Sequence, residues 1–144
     1  MNEACPLPTP PSESEDAIIR RLLAAQRIAI VGLSDNPSRV SFAIAEYLLG
    51  AAKEVVPVNP THSEVLGLTC YARLEDVPGQ IDLVNVFRRP EFCGDVARSA
   101  VAIAAGGIWL QSGIRSAEAK ELARQANIPY IENRCIMVEH MHHR

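Results

Sequence analysis

The chain has 144 residues, 48% of them hydrophobic, and a formal net charge of −3, which predicts one domain with one core. Lysine and arginine are scattered among aspartate and glutamate, leaving no basic footprint for a nucleic-acid duplex or a membrane surface. No run of about 18 apolar residues and no basic-then-apolar leader occurs, so neither a membrane span nor a secretion signal is predicted and the expected location is cytoplasmic.

Residues 1–13 hold Pro6, Pro8, Pro10 and Pro11 among Ser, Thr and Glu, a composition that cannot bury enough apolar surface to offset ordering, so a mobile tail is predicted before a domain over 14–144. Ser12 and Glu15 have capping-box spacing, and Ile18, Ile19, Leu22 and Leu23 recur at helical spacing, predicting a helix from about 14 to 25. Ile28 to Val31 then reads as a strand buried on both faces. It runs into Gly32 and a segment, Leu33 to Ser38, whose amides are expected to point outward at a helix N-terminus and cradle phosphate. Asn36 is the expected cap and Pro37 the first helical residue, with Val40, Ile44, Tyr47 and Leu48 on one face before Gly50.

Glu54 to Val58 is the second predicted strand, ended by Asn59-Pro60 and joined to the first by a right-handed crossover. Residues 61–80 read as a long irregular connection with a short edge strand near Thr69 to Tyr71. Ile81 to Phe87 is the third strand. Pro90 opens a helix with Cys93, Ala97, Ala100, Val101 and Ala104 on one small-residue face. Gly107 to Leu110, Ser116 to Ala126 and Ile128 to Ile131 complete the alternation as strand, helix and strand. The fold class predicted is α/β: a Rossmann-like, doubly wound, mostly parallel five-stranded sheet with helices on both faces. Ligands of such sheets lie beyond the carboxyl ends of the strands, here residues 32–41, 59–61, 87–90 and 111–113.

A dinucleotide site would show GxGxxG in the first turn and an acidic residue ending the second strand. Ser34 and Pro37 stand at the second and third glycine positions, and the strand ends in neutral Asn59. An adenosine without a free ribose diol, or phosphorylated there, fits better than NAD. Gly32, Ser34, Asn36, Ser38 and Arg39 crowd one strand exit, and Phe87-Arg88-Arg89 crowds another. Arginine–phosphate bonds are charge-assisted and worth roughly 1.5 to 3 kcal/mol each. Cys5, Cys70, Cys93 and Cys135 form no CxxC pair and read as reduced thiols. Trp109 reads as core or interface, and the terminal Glu139, His140, His142 and His143 as a solvated end without metal-ligand spacing. No nucleophile–base set stands out.

Taken in order, Ile28 to Ser34, Val56 to Pro60, Ile81 to Pro90, Trp109 to Gln111 and Asn133 to His140 resemble the small stand-alone CoA-binding domain proteins. That YccU-like family is related to the CoA-binding domain of succinyl-CoA synthetase alpha subunits, and the resemblance covers about residues 15 to 141. It implies a Rossmann-like domain binding coenzyme A or an acyl-CoA. Gly32, Leu33 and Ser34 would sit at the phosphates, with Asn36 and Arg39 beside them, and Val58, Asn59, Pro60, Phe87, Arg88 and Arg89 would frame the nucleotide. Catalysis is not implied: the ligase relatives use a phosphohistidine and further domains, for which this chain has no recognised counterpart and no room. A non-catalytic binding or regulatory module is the expectation. An NAD(P)-linked or acyl-CoA-dependent enzyme and a protein-interaction domain with a vestigial site stay open, as does a protein partner or homodimer.

Overall fold

The computed structural model describes residues 13–144. Residues 1–12 of the predicted tail, with Ser12 of the expected capping box, lie outside the described residues. The first helix, α1 (Glu15–Leu23), is capped by Ser14, whose Oγ accepts from the Ala17 amide at 3.1 Å. It leads into β1 (Arg27–Val31), α2 (Val40–Gly50) and β2 (Glu54–Val58). The second half holds β5 (Leu83–Val86), α3 (Pro90–Ala102), β6 (Ile108–Leu110), α4 (Ala117–Gln125), β7 (Tyr130–Ile131) and α5 (Ile136–His143). Between the halves lie the short strands β3 (Glu64–Val65) and β4 (Leu68–Thr69) and a 3-10 turn, Leu74–Asp76.

The main sheet is five-stranded and all parallel, in the order β2-β1-β5-β6-β7. This is a doubly wound order, with the topological switch between β1 and β5. Alternation along the strands sorts the side chains. Ile28, Ile30, Leu83 and Trp109 pack with α1, α2 and α5, whereas Ala29, Val31, Val84, Val86, Ile108 and Leu110 pack with α3 and α4. Both faces are covered, which is why the strands are apolar without interruption. The exception is Asn85, wholly enclosed in the central strand with neither carboxamide atom hydrogen-bonded among the described residues. Pro57 is tolerated because β2 is an edge strand, where its missing N–H removes no inner ladder bond.

Several expectations are corrected. The α2 helix begins at Val40, not Pro37, and its N-cap is Arg39. The reason is local: Asn36 Oδ1 accepts from the Ser38 amide at 3.0 Å and from the Ser38 hydroxyl at 2.8 Å, closing a turn outside the helix. Val40 is accordingly 66% exposed, and the buried face is Ser41, Ile44, Ala45 and Leu48. The connection over 61–80 contains an antiparallel hairpin whose two turn residues, Leu66 (φ +55) and Gly67 (φ +74), have the left-handed backbone of a tight hairpin turn. Tyr71, rather than an edge strand over 69–71, pairs with the sheet, through one parallel bridge to Val58. The chain end is also not a solvated run. It forms α5, with His140 Nδ1 2.7 Å from the Tyr47 hydroxyl and His143 between Asp16 and Glu139 at 3.7 Å from each. On α3, Cys93, Ala97 and Ala100 are buried as expected, while Val101 is exposed and Ala104, expected on the same face, lies exposed beyond the end of the helix.

Candidate functional site

The carboxyl edge of the sheet is pinched at one residue. Gly32 follows β1 with φ +85, donates its amide to Val58 O at 2.8 Å, and lies where a Cβ would stand 2.4 Å from Phe87 O and 3.4 Å from Arg88 Cδ. Phe87 in turn donates its amide to Val31 O at 2.8 Å. The ends of β1, β2 and β5 are thereby drawn together at the switch point, and only a residue without Cβ fits. Two hollows flank this pinch, one on the α2 side and one on the α3 side.

The α2-side hollow is lined by Gly32, Ser34, Ser38, Arg39, Ser41 and Phe87. Only part of the expected set of amides is open there. The amide of Ser34 donates to Ser41 Oγ at 3.1 Å, that of Asn36 to Ser34 Oγ at 3.0 Å, and that of Ser38 to Asn36 Oδ1. Short polar side chains have folded back on their own backbone and taken up these amides. The amides of Val40 and Ser41, with those of Leu33 and Asp35, have no acceptor among the described residues. The open donors therefore include the first turn of α2, where the helix dipole favours negative charge.

The α3-side hollow is an apolar groove of about 230 Å3, floored by Val31 and Val58 and walled by Leu74 and Phe92. The Arg88 guanidinium lies 4.7 Å from the centroid of the Phe92 ring, a cation–π contact that holds the cation at the groove mouth beside Pro60. Charge pairing divides the arginines. Arg20, Arg21, Arg27, Arg73, Arg98, Arg115, Arg124 and Arg134 each face a carboxylate, whereas Arg39, Arg88, Arg89 and the terminal Arg144 have none among the described residues. Of the arginines without a carboxylate partner, Arg39, Arg88 and Arg89 gather at one edge, a pattern expected where an anionic ligand supplies the counter-charge.

The other predicted residues play supporting parts. Leu33 is fully buried, so only its main chain reaches the site. Asn59 donates from Nδ2 to Leu33 O at 3.0 Å, and its Oδ1 accepts from the Thr61 amide and hydroxyl at 3.0 and 2.7 Å. It ties the β1 and β2 loops together. Arg89 is the exposed N-cap of α3. Gln111, placed at the edge from sequence, is buried, with Oε1 accepting from the Ile136 amide at 3.0 Å, so it fixes the start of α5. Sequence reasoning missed Leu74, Glu75, Phe92 and Ser99. Phe92 was legible as an aromatic in the first turn after Pro90, but Leu74 and Glu75 reach α3 only through tertiary packing.

Nothing here is arranged for nucleophilic attack. The Ser34, Ser38 and Ser41 hydroxyls bond to amides or to Asn36, not to a base. Burial pushes the Cys93 thiol up from its ordinary value, opposed by Arg88, and burial does the same to Cys70, opposed by a backbone hydrogen bond with Asn59. Both stay protonated and inert. Trp109 is fully buried, with Nε1 donating to Arg134 O at 2.8 Å. No helix of the described residues is long and apolar enough to cross a membrane.

Comparison with known proteins gives the same region a family. The chain is 38% identical to the uncharacterized protein YneT of Bacillus subtilis over 130 residues, covering 90% of this chain and 95% of that one. It is 30% identical over 123 residues to an ADP-forming acetate–CoA ligase of Methanocaldococcus jannaschii, covering 80% of this chain but 18% of the ligase. A hypothetical protein from Pyrococcus horikoshii superposes with a TM-score of 0.86 at 34% identity, over 99% of this chain and 98% of its own. The family described as the CoA binding domain matches residues 26–141, from the start of β1 through most of α5, and the chain belongs to that family.

Proposed function

We propose that this protein binds coenzyme A or a CoA thioester across the pinch at Gly32, as a non-catalytic binding or regulatory module. The adenine enters the α3-side groove, the phosphates lie over the first turn of α2 and the unpaired arginines, and the pantetheine arm leaves along the carboxyl edge. The observation that carries this reading is the pairing of a largely apolar, base-sized groove with Arg88 at its mouth and a hollow lined by Arg39 and the start of α2, on either side of a residue that admits no Cβ. A nucleotide with a flat base and several phosphates matches that division. Asn59 argues against NAD: it is neutral, and its carboxamide is occupied by Leu33 and Thr61, leaving no carboxylate for a ribose diol. The absence of a hydroxyl or thiol poised for attack supports a binding role.

Calorimetric titration of ligand-stripped protein with CoA, acetyl-CoA, NAD and NADP at one salt concentration tests the proposal. Micromolar binding of CoA or acetyl-CoA with none of NAD supports it. Binding of NAD or NADP alone would move the site to the dinucleotide class, and binding of none would overturn it.

A further inference from the structure

The end of the α3-side groove away from Arg88 carries a polar pair, exposed Glu75 and half-buried Ser99, that phosphate binding does not use. Glu75 of the 3-10 turn and Ser99 of α3 both line the groove, and Ser99 Oγ donates to Glu75 Oε2 at 2.9 Å. The other carboxylate of the lining, Asp95, is taken up by Arg98 on its own helix at 2.8 Å. Glu75 faces no lysine or arginine among the described residues, so its remaining lone pairs are open to a donor. The Arg88–Phe92 stack stands nearer the carboxyl edge, since Phe92 is in the first turn of α3 and Ser99 two turns further along.

We infer that Glu75, held by Ser99, is a specificity-determining residue that reads the exocyclic amine of the bound purine. The inference rests on the proposed CoA reading. A purine nucleotide with its phosphates at the arginines enters the groove base first, so the ring edge farthest from the sugar meets Glu75 and Ser99. In adenine that edge carries an N–H donor at the 6-position flanked by ring-nitrogen acceptors. A carboxylate acceptor beside a rotatable hydroxyl donor complements it, as a carboxamide does when it pairs with adenine. A 6-oxo purine would set an acceptor against the carboxylate at the same place, which disfavours it.

The test compares CoA with 1,N6-etheno-CoA, in which an etheno bridge ties the exocyclic nitrogen to N1 and removes its N–H donors. Titrations use the full chain, its Glu75→Met variant, which keeps the side-chain length without the acceptor, and Ser99→Ala. The wild type is expected to prefer CoA by about tenfold, the scale of one hydrogen bond to a charged group. Glu75→Met should bring the ratio close to one by weakening CoA alone, and Ser99→Ala should reduce it. A Glu75→Met protein that keeps the wild-type ratio overturns the assignment while leaving CoA binding in place. Failure of the wild type to bind CoA at all would instead overturn the functional proposal beneath it.

Discussion

Replacing Gly32 by alanine perturbs the pinch on which the site is built. The new Cβ would stand 2.4 Å from Phe87 O, so the end of β5 must retreat by about 0.6 Å to reach even the 3.0 Å that real Cβ atoms rarely breach. The backbone would also hold a side chain at φ +85, a conformation that costs an L-residue about 1–3 kcal/mol. With the displaced strand end, a total loss of about 2–4 kcal/mol is expected, which lowers the thermal midpoint by roughly 6–15 °C in a chain this size. Gly67 provides the control, since it too has a positive φ (+74) but nothing within 4 Å of its Cβ position. Gly67→Ala should cost only the backbone component and leave CoA affinity unchanged. Calorimetric unfolding and CoA titration of both variants separate the two effects. A Gly32→Ala protein with wild-type midpoint and affinity, or a Gly67→Ala protein equally impaired in binding, would refute the reasoning.

Arg88→Ala should weaken CoA about tenfold with little change in thermal midpoint, because it deletes an unpaired cation and a surface stack rather than core; unchanged affinity removes Arg88 from the site. Asn85→Leu should raise the midpoint, since it replaces a buried carboxamide without partners by a side chain of similar size, a gain of about 1–3 kcal/mol. A lower midpoint would mean that an internal water satisfies Asn85. Burial, with Lys53 and Arg144 adding to it, pushes His140 below the usual histidine value. The folded state therefore binds this proton less readily than the unfolded chain, so His140 favours folding above its unfolded pKa and that contribution is lost as pH falls through it toward the folded value. Part of the midpoint drop between pH 7.5 and 5.5 should vanish in His140→Leu, and an unaltered pH profile would contradict this.

The alternation of strands and helices was legible in the chain because it is written in periodicity and punctuation. Apolar runs at Ile28–Val31 and, broken only by Asn85, at Leu83–Val86 mark strands covered on both faces, and Pro90 and Gly32 mark a helix start and a sharp turn. Those signals are local, so they carried the fold class and the end of the sheet where the site lies. They failed where a side chain had a choice of partners. Asn36 could cap a helix or close a turn on Ser38, and the position of Ser41 behind Ser34 favoured the turn, moving the open amides to Val40 and Ser41. Asn59 and Gln111 sit at strand ends as a ligand contact would, but they bond to Leu33 and Ile136, residues distant in sequence. α5 was hidden because a run of histidines at a chain end has no clear apolar period, and its burial against α1 and α2 exists only once the sheet has formed. The sequence by itself thus determined the alternation of strands and helices, the turn glycine and the placing of arginines at strand ends. Tertiary structure decided which polar groups remain free for a ligand, because a hydrogen bond goes to whichever partner the folded chain brings within about 3 Å.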